Sequence, residues 1–270
     1  MPELPEVETT CRGISPHLCG KTLTQATVRN HSLRWPVPRR LNSILQGQTL
    51  KQVSRRAKYL LLEFDTGHLL CHLGMSGSMR ICKANDAPKK HDHIDLIFGS
   101  VCLRYHDPRR FGAMLWTKEA PQLHELIRHL GPEPLSDAFD ASTLFGKSRK
   151  RSQAIKTFIM DNKIVVGVGN IYANEALFNA KIKPTRPAGK LTKTQSEQLS
   201  AEIKTVLADA IEQGGTTLKD FVGGDGKPGY FAQKLKVYGR SGEPCVACSK
   251  PLKEIRLGQR STVYCTQCQK

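Results

Sequence analysis

Tyr59-Leu60-Leu61-Leu62-Glu63-Phe64-Asp65-Thr66-Gly67-His68-Leu69-Leu70-Cys71-His72-Leu73 is two apolar runs of strand length joined at a Thr66-Gly67 turn. Short apolar runs bounded by turn residues read as paired strands. The pattern repeats outward. Residues 94–98 and 101–105 flank Gly99-Ser100 as a hairpin, and residues 113–116 read as another short strand. From about 22 to 116 the chain therefore predicts an antiparallel sandwich or barrel. Toward the N-terminus, residues 6–18 suit a helix, with Pro5 at its first position.

Beyond residue 121 the periodicity changes. Residues 121–146 are punctuated by Pro and Gly, and Gly131-Pro132-Glu133-Pro134 reads as a boundary. Helices are expected over 151–160 and 170–180. A third offers Thr194-x-x-Glu197 as a capping box, with Leu199, Ile203, Val206, Leu207, Ala210 and Ile211 on one face and Gly214-Gly215 closing it. Residues 216–230 are glycine-rich and read as a loop.

The 270 residues carry 41 Lys+Arg against 24 Asp+Glu, a formal net charge of +17. Self-repulsion on that scale points to a polyanionic partner. Hydrophobic residues at 39% still support packed cores, which excludes a disordered basic tail. Aromatics are only 6%, which argues against a single-strand binder that stacks bases and favours duplex nucleic acid. No apolar run approaches the roughly 18 residues of a membrane span, so no membrane partner is expected. The acidic start Met1-Pro2-Glu3-Leu4-Pro5-Glu6 does not read as a signal peptide. A cytoplasmic chain with reduced cysteines is the expectation.

Cys245-x2-Cys248 and Cys265-x2-Cys268 are separated by sixteen residues, the spacing of a four-cysteine zinc site on a hairpin. Four thiolates leave no open position, so the Zn2+ is structural. From Lys227 to Lys270 there are nine Lys/Arg against two Glu, which suits contact with nucleic acid. Charge and zinc alone fit a non-enzymatic DNA-binding factor equally well.

The first residues add a chemical possibility. Removal of Met1 would leave Pro2 with a secondary amine beside Glu3 and Glu6. A terminal amine has a pKa of about 7.7–8.0, so a neutral fraction is available near pH 7. Its attack on an aldehyde-like carbon gives an iminium, an electron sink, and Glu3 could move the protons. The residues by themselves leave open a plainer reading, a proline-kinked start with solvated acids. They also leave open an N-terminal-proline tautomerase, which would give the charge and the zinc module no purpose.

The chain resembles the bacterial formamidopyrimidine-DNA glycosylase family along its whole length. The resemblance is carried by residues 1–9, Arg55-Arg56-Ala57-Lys58-Tyr59, His72-Leu73-Gly74-Met75-Ser76-Gly77 and Lys90-His91-Asp92-His93. It continues through Asp107-Pro108-Arg109-Arg110-Phe111-Gly112, residues 160–163 and 166–173, Gly214-Gly215-Thr216-Thr217-Leu218, Gly226-Lys227-Pro228-Gly229-Tyr230-Phe231 and the four cysteines.

The resemblance implies an α+β fold: an N-terminal antiparallel β-sandwich with flanking helices, then a helical domain with a helix–two-turn–helix element and the zinc hairpin. The expected domains are a catalytic region 1–131, a linker 132–151, a DNA-binding region 152–230 and a zinc hairpin 236–270. It implies excision of 8-oxoguanine and formamidopyrimidines from double-stranded DNA, then cleavage of the abasic site, by a bacterial monomer at the nucleoid. Pro2 would be the nucleophile, Glu3 its acid/base partner, Lys58 the lysine of β-elimination, and Arg260 the arginine linked to δ-elimination and phosphate binding. Met75, Arg109 and Phe111 would fill the gap left by a flipped base. His91, Arg151 and Asn170 would contact DNA. Lys219 and Tyr230 belong to the segment that would close over the lesion.

Overall fold

A computed structural model describes residues 2–215 and 234–270. Lys219, Tyr230 and the glycine-rich segment 216–230 lie outside the described residues. The described chain divides into two units, residues 2–129 with 213–215 and residues 130–212 with 234–270.

The first unit is built on two four-stranded antiparallel sheets. Its elements are α1 (Leu4–Leu18), β1 (Gln25–Val28), α2 (Leu41–Leu45), β2 (Leu50–Arg56), β3 (Tyr59–Phe64), β4 (Gly67–His72), β5 (Ser78–Lys83), β6 (Asp92–Phe98), β7 (Val101–His106) and β8 (Ala113–Thr117). One sheet runs β1-β6-β7-β5 and the other β2-β3-β4-β8. Strands β3, β4, β6 and β7 are interior and carry the apolar runs seen in the sequence. The strands that the sequence did not delimit, β1, β2 and β5, are all edges. An edge strand mixes polar and apolar residues, as in Leu50–Arg56, so its pattern is weak.

One core joins the two sheets and the helices. It includes Val7, Ile14 and Leu18 of α1, Leu41 and Leu45 of α2, Leu60, Leu62 and Phe64 of β3, and Ile94, Leu96 and Phe98 of β6. This is the expected antiparallel sandwich.

The second unit is helical and ends in a hairpin: α3 (Ala141–Ser148), α4 (Ile155–Ile159), α5 (Asn170–Asn179), α6 (Lys193–Glu212), β9 (Lys253–Leu257) and β10 (Arg260–Tyr264). Three expectations change. Within the expected linker stands α3, N-capped by Asp140, whose carboxylate accepts from Thr143 N at 2.7 Å. The helix expected over 151–160 is confined to Ile155–Ile159. Residues 151–155 instead hydrogen-bond with 186–189 around an antiparallel bridge between Ala154 and Pro187, through Gly189 N to Arg151 O, Ala188 N to Gln153 O and Ile155 N to Arg186 O.

The capping box of α6 lies two residues earlier than expected. Thr192 Oγ1 accepts from Gln195 N at 3.1 Å, and Gln195 Oε1 accepts from Thr192 N at 3.2 Å. Gly214 and Gly215 follow α6 with φ of 75° and 80°, a left-handed ending that glycine adopts without strain. No helix among the described residues is long and apolar enough to cross a membrane.

Candidate functional site

Pro2 and Glu3 are buried at the start of α1. Glu3 is the N-cap, and Glu3 and Glu6 form a reciprocal capping box. Glu6 Oε2 accepts from Glu3 N at 2.8 Å, and the Glu3 carboxylate accepts from the Glu6 amide. Each acid is only 2% exposed, so the solvated-acid reading fails. Gly215 packs against Glu6, where a Cβ would stand 3.3 Å from the carboxylate.

One turn further on, Glu8 bonds Arg12 at 2.8 Å and Arg55 at 2.9 Å. Partial burial works against its charge, but the two guanidiniums hold its carboxyl below the usual range. Arg55 also donates to Ala57 O at 2.9 Å, and Ala57 takes a left-handed φ of 54°. This fixes the β2–β3 turn that presents Lys58 and ties it to α1. Lys58 is half-buried and its charge acts on His72.

His72 is held neutral. Burial, then Lys58 and Arg34, lower its pKa to about 4. Its Nδ1 accepts from Gly74 N at 2.9 Å, a bond that needs the unprotonated nitrogen. Gly74 turns the chain with φ of 66° into the loop carrying Met75. A Cβ on Gly74 would lie 2.5 Å from the backbone of Phe111 and Gly112, so the Met75 loop rests directly on the second loop.

Asp107 joins these loops. Its Oδ2 accepts from Tyr105 Oη and from Gly112 N, both at 2.9 Å, and Ser76 Oγ lies 3.4 Å from Oδ1. Its backbone carbonyl meets His93 Nε2 at 2.8 Å, and its amide donates to His91 O at 3.0 Å. Asp107 is fully buried while Arg109 and Phe111 project, with the Arg109 guanidinium 5.0 Å above the Phe111 ring. Phe111 is 43% exposed and Met75 half-buried. The glycine-flanked turns therefore set these side chains at a loop surface, not in the core. His91 is half-exposed beside them. Its ring lies 6.1 Å from both His93 and His106, and desolvation and neighbouring positive charge lower its pKa.

In the second unit, Asn170 is the first residue of α5, after a cap at Gly169. Its Oδ1 accepts from Lys156 Nζ at 2.6 Å. Lys156 is 1% exposed, and the same ammonium donates to Ser261 O at 2.9 Å and Thr262 Oγ1 at 2.7 Å. Asn174 accepts from Val263 N at 2.9 Å, and Glu175 accepts from the amides of Lys236, Val237 and Tyr238 at 2.8, 3.0 and 2.8 Å. The polar residues of α4 and α5 thus hold β10 and residues 236–238 ahead of the first cysteine pair. Gly258 and Gln259, with φ of 54° and 60°, make the hairpin turn that presents exposed Arg260. Two positive φ values are the type I′ pattern that suits a twisted two-residue hairpin. Arg151 is exposed on the extended segment before α4.

The four cysteine sulfurs lie within 4.8 Å of one another. Cys245 and Cys268 are 4.0 Å apart, and Cys248 and Cys265 3.4 Å. A tetrahedron with Zn–S near 2.3 Å needs sulfurs about 3.8 Å apart, so the donor set fits zinc. Cys245 and Cys265 also pack with Phe178, Val237, Leu252 and Val263 in a small apolar cluster, too little to fold the hairpin without the metal.

The structure brings Met75, Arg109, Phe111 and His91 together in one loop cluster, and Asn170 and Arg260 onto one framework through Lys156. Asp107 belongs to the motif Asp107-Pro108-Arg109-Arg110-Phe111-Gly112, but the sequence alone gives it no role. Lys156, Asn174 and Glu175 had none either, although for Asn174 and Glu175 their place as the two polar residues in the otherwise apolar run Ile171 to Phe178 is a usable signal.

Three family models match the chain. They are the formamidopyrimidine-DNA glycosylase N-terminal domain over residues 1–114, its H2TH domain over 130–222, and a zinc finger found in FPG and IleRS over 242–270. The formamidopyrimidine-DNA glycosylase of Saccharophagus degradans is 65% identical, with the whole of both chains covered. That of Cellvibrio japonicus is 61% identical over the same full extent. Among solved structures, the MutM (FPG) protein of Thermus thermophilus is similar with a TM-score of 0.90 and 38% identity, covering 99% of this chain and 98% of that one. A Lactococcus lactis FPG variant in complex with DNA containing Fapy-dG is similar with a TM-score of 0.93 and 32% identity over both whole chains. The zinc-finger match and the sulfur geometry together assign one structural zinc ion to the four cysteines.

Proposed function

The chain belongs to the formamidopyrimidine-DNA glycosylase family, a family of DNA-repair enzymes, and from that premise we propose that it excises oxidised purines, 8-oxoguanine and formamidopyrimidines, from duplex DNA and then cleaves the abasic site by β,δ-elimination. The observation that carries this reading is the full-length likeness to Lactococcus lactis FPG, whose structures hold DNA with a Fapy-dG lesion or an abasic site.

In this reading Met1 is removed and the Pro2 amine attacks C1′ of the damaged nucleotide. The C1′–base bond breaks, the sugar opens and the nitrogen becomes a positively charged Schiff base. Glu3, already fixed as the helix cap beside Pro2, supplies and removes the protons. Lys58 assists β-elimination. Arg260 holds phosphate for the δ step, because a guanidinium with a pKa above about 12 is a poor acid. Met75 and Phe111 supply apolar bulk for the vacated stack, and Arg109 supplies donors for the orphaned base. Asn170, Arg151 and His91 hold phosphates. Lys219 and Tyr230 belong to the lesion-covering segment. The catalytic region is 1–131 and the DNA-binding region 152–230, with the zinc hairpin at 236–270.

The test is borohydride trapping with mature protein and a duplex containing one 8-oxoguanine opposite cytosine. A covalent protein–DNA product is expected, absent in Pro2→Gly. Glu3→Gln is expected to bind the lesion duplex without excising the base. Lesion binding with no trapped product in the wild-type protein would overturn the lyase assignment.

A further inference from the structure

The first sheet carries a pair of thiols on the face turned away from the apolar core. Cys82 on β5 and Cys102 on β7 stand directly opposite in antiparallel register. Their neighbours in the ladder, Met79, Leu103 and Tyr105, belong to the core cluster, while Arg80 and Arg104 share the face of the two cysteines. Opposed residues on antiparallel strands have Cα atoms about 4.5 or 5.5 Å apart, according to the pair type. Both values lie inside the roughly 4.4–6.8 Å window that a disulfide spans.

Their surroundings differ in a way that gives each a distinct part. Cys102 is 0% exposed, and burial pushes its thiol up to about 12. Cys82 is partly exposed and lines an open groove of about 860 Å³ with Ile81, Lys83, Asn85, Asp86 and Ser100. Arg104 stands two positions from Cys102 on the same face of β7. Its guanidinium is fixed by Asp95 at 2.8 and 2.9 Å and by the carbonyls of Asp86 and Ala87 at 2.8 and 3.2 Å.

We propose that Cys82 and Cys102 form a peroxide-sensitive modification site, in which Cys82 meets a hydroperoxide from the groove and Cys102 resolves it as a cross-strand disulfide. The Cys82 thiolate attacks the distal oxygen of the hydroperoxide. An S–O bond forms, the O–O bond breaks, and the leaving oxygen takes a proton to depart as water or alcohol. The sulfur of Cys102 then attacks that of Cys82. An S–S bond forms, the S–O bond breaks, and the hydroxide leaves as water with the proton of Cys102. The two thiols give up two electrons and the hydroperoxide accepts them. The buried partner lets the oxidation stop at a reversible stage, because an unpartnered sulfenic acid continues toward the sulfinic acid. The pair lies at the end of β5 and β7 remote from the Met75 and Asp107 loops, which meet the opposite end at Ser78↔His106.

The full-length zinc-loaded protein is treated with hydrogen peroxide, alkylated with N-ethylmaleimide, digested and read by mass spectrometry, with zinc release followed by a chromophoric chelator. The expected result is a peptide pair joined through Cys82 and Cys102, lighter by two hydrogens, before zinc is released, and restored by dithiothreitol. In Cys82→Ser the link is lost, and Cys102 alkylates only after denaturation. In Cys102→Ala the peroxide-treated Cys82 passes to the sulfinic acid. The proposal is overturned if wild-type Cys82 remains alkylatable while the zinc cysteines oxidise. It is equally overturned if Cys82 is converted to the sulfinic acid as fast in the wild type as in Cys102→Ala. No lesion DNA enters the measurement, so its outcome is independent of the excision chemistry.

Discussion

The two units hold their functional loops around buried polar groups of opposite hydrogen-bonding character. In the sandwich the hub is an acceptor, Asp107, gathering the hydroxyl of Tyr105 and the amide of Gly112. In the helical unit it is a donor, Lys156, gathering a carbonyl, a hydroxyl and an amide oxygen from Ser261, Thr262 and Asn170. The character follows from what each loop leaves over. The turn before Gly112 leaves donors that no strand ladder satisfies, and the start of β10 leaves acceptors. A buried group of the complementary kind offsets the cost of leaving them unbonded. A second contrast concerns the cores. The sandwich closes on a large apolar interior, whereas the hairpin has a few apolar residues around four cysteines.

The second contrast predicts the largest effect. Metal removal should melt the hairpin, since zinc binding in comparable modules is worth about 10–16 kcal/mol. Both tryptophans, Trp35 and Trp116, lie in the first unit, so their fluorescence reports the sandwich alone. Chelation is expected to abolish DNA binding with little change in that signal. A tryptophan transition at the same chelator concentration would show that the sandwich also depends on the metal.

Substitution at the hubs tests the first contrast. Lys156→Met fills the space but strands three acceptors, and should cost about 2–4 kcal/mol in urea unfolding and speed zinc loss. Asp107→Asn keeps the shape and one acceptor, and should cost about 1–2 kcal/mol, seen by the tryptophans and as weaker lesion-DNA binding, with zinc retention unchanged. Equal effects of both variants on zinc retention would break the comparison.

The smallest effect is a pH dependence confined to the sandwich. Burial, with Lys58 and Arg34, holds folded His72 at about 4, below the roughly 6.5 of an unfolded histidine. The unfolded chain therefore takes up the proton first. The contribution of neutral His72 is complete above about pH 6.5 and declines as pH falls toward 4. Protonation also removes the acceptor for Gly74 N and so loosens the Met75 turn. Thermal unfolding followed from pH 7 to 4 should show Tm falling less steeply in His72→Asn than in the wild type. Parallel curves would remove His72 from the account.

Much of this molecule was legible from the chain. The interior strands, the period of α6, the four-cysteine spacing and the glycine-flanked loops are local patterns, repeated over a few residues and imposed by backbone geometry and burial on one face. The edge strands β1, β2 and β5 were less legible because one side of their ladder is unpaired and their composition is mixed. The helix expected over 151–160 was shortened by a partner some thirty residues away, at 186–189, whose hydrogen bonds outcompete the first helical turn. No window centred on 151–160 contains that partner.

The site divides along the same line. Residue identity determined which groups can attack, protonate, hold phosphate or bind zinc, because amines, carboxylates, guanidiniums and thiolates carry their chemistry with them. Only the tertiary structure decided that Glu3 and Glu6 are a buried capping pair and not solvated acids, that His72 is neutral, and that Asp107 and Lys156 are the hubs of their units. Those properties depend on burial and on partners distant in sequence. A side chain's charge state and its hydrogen bonds are set by the completed environment, not by its neighbours along the chain.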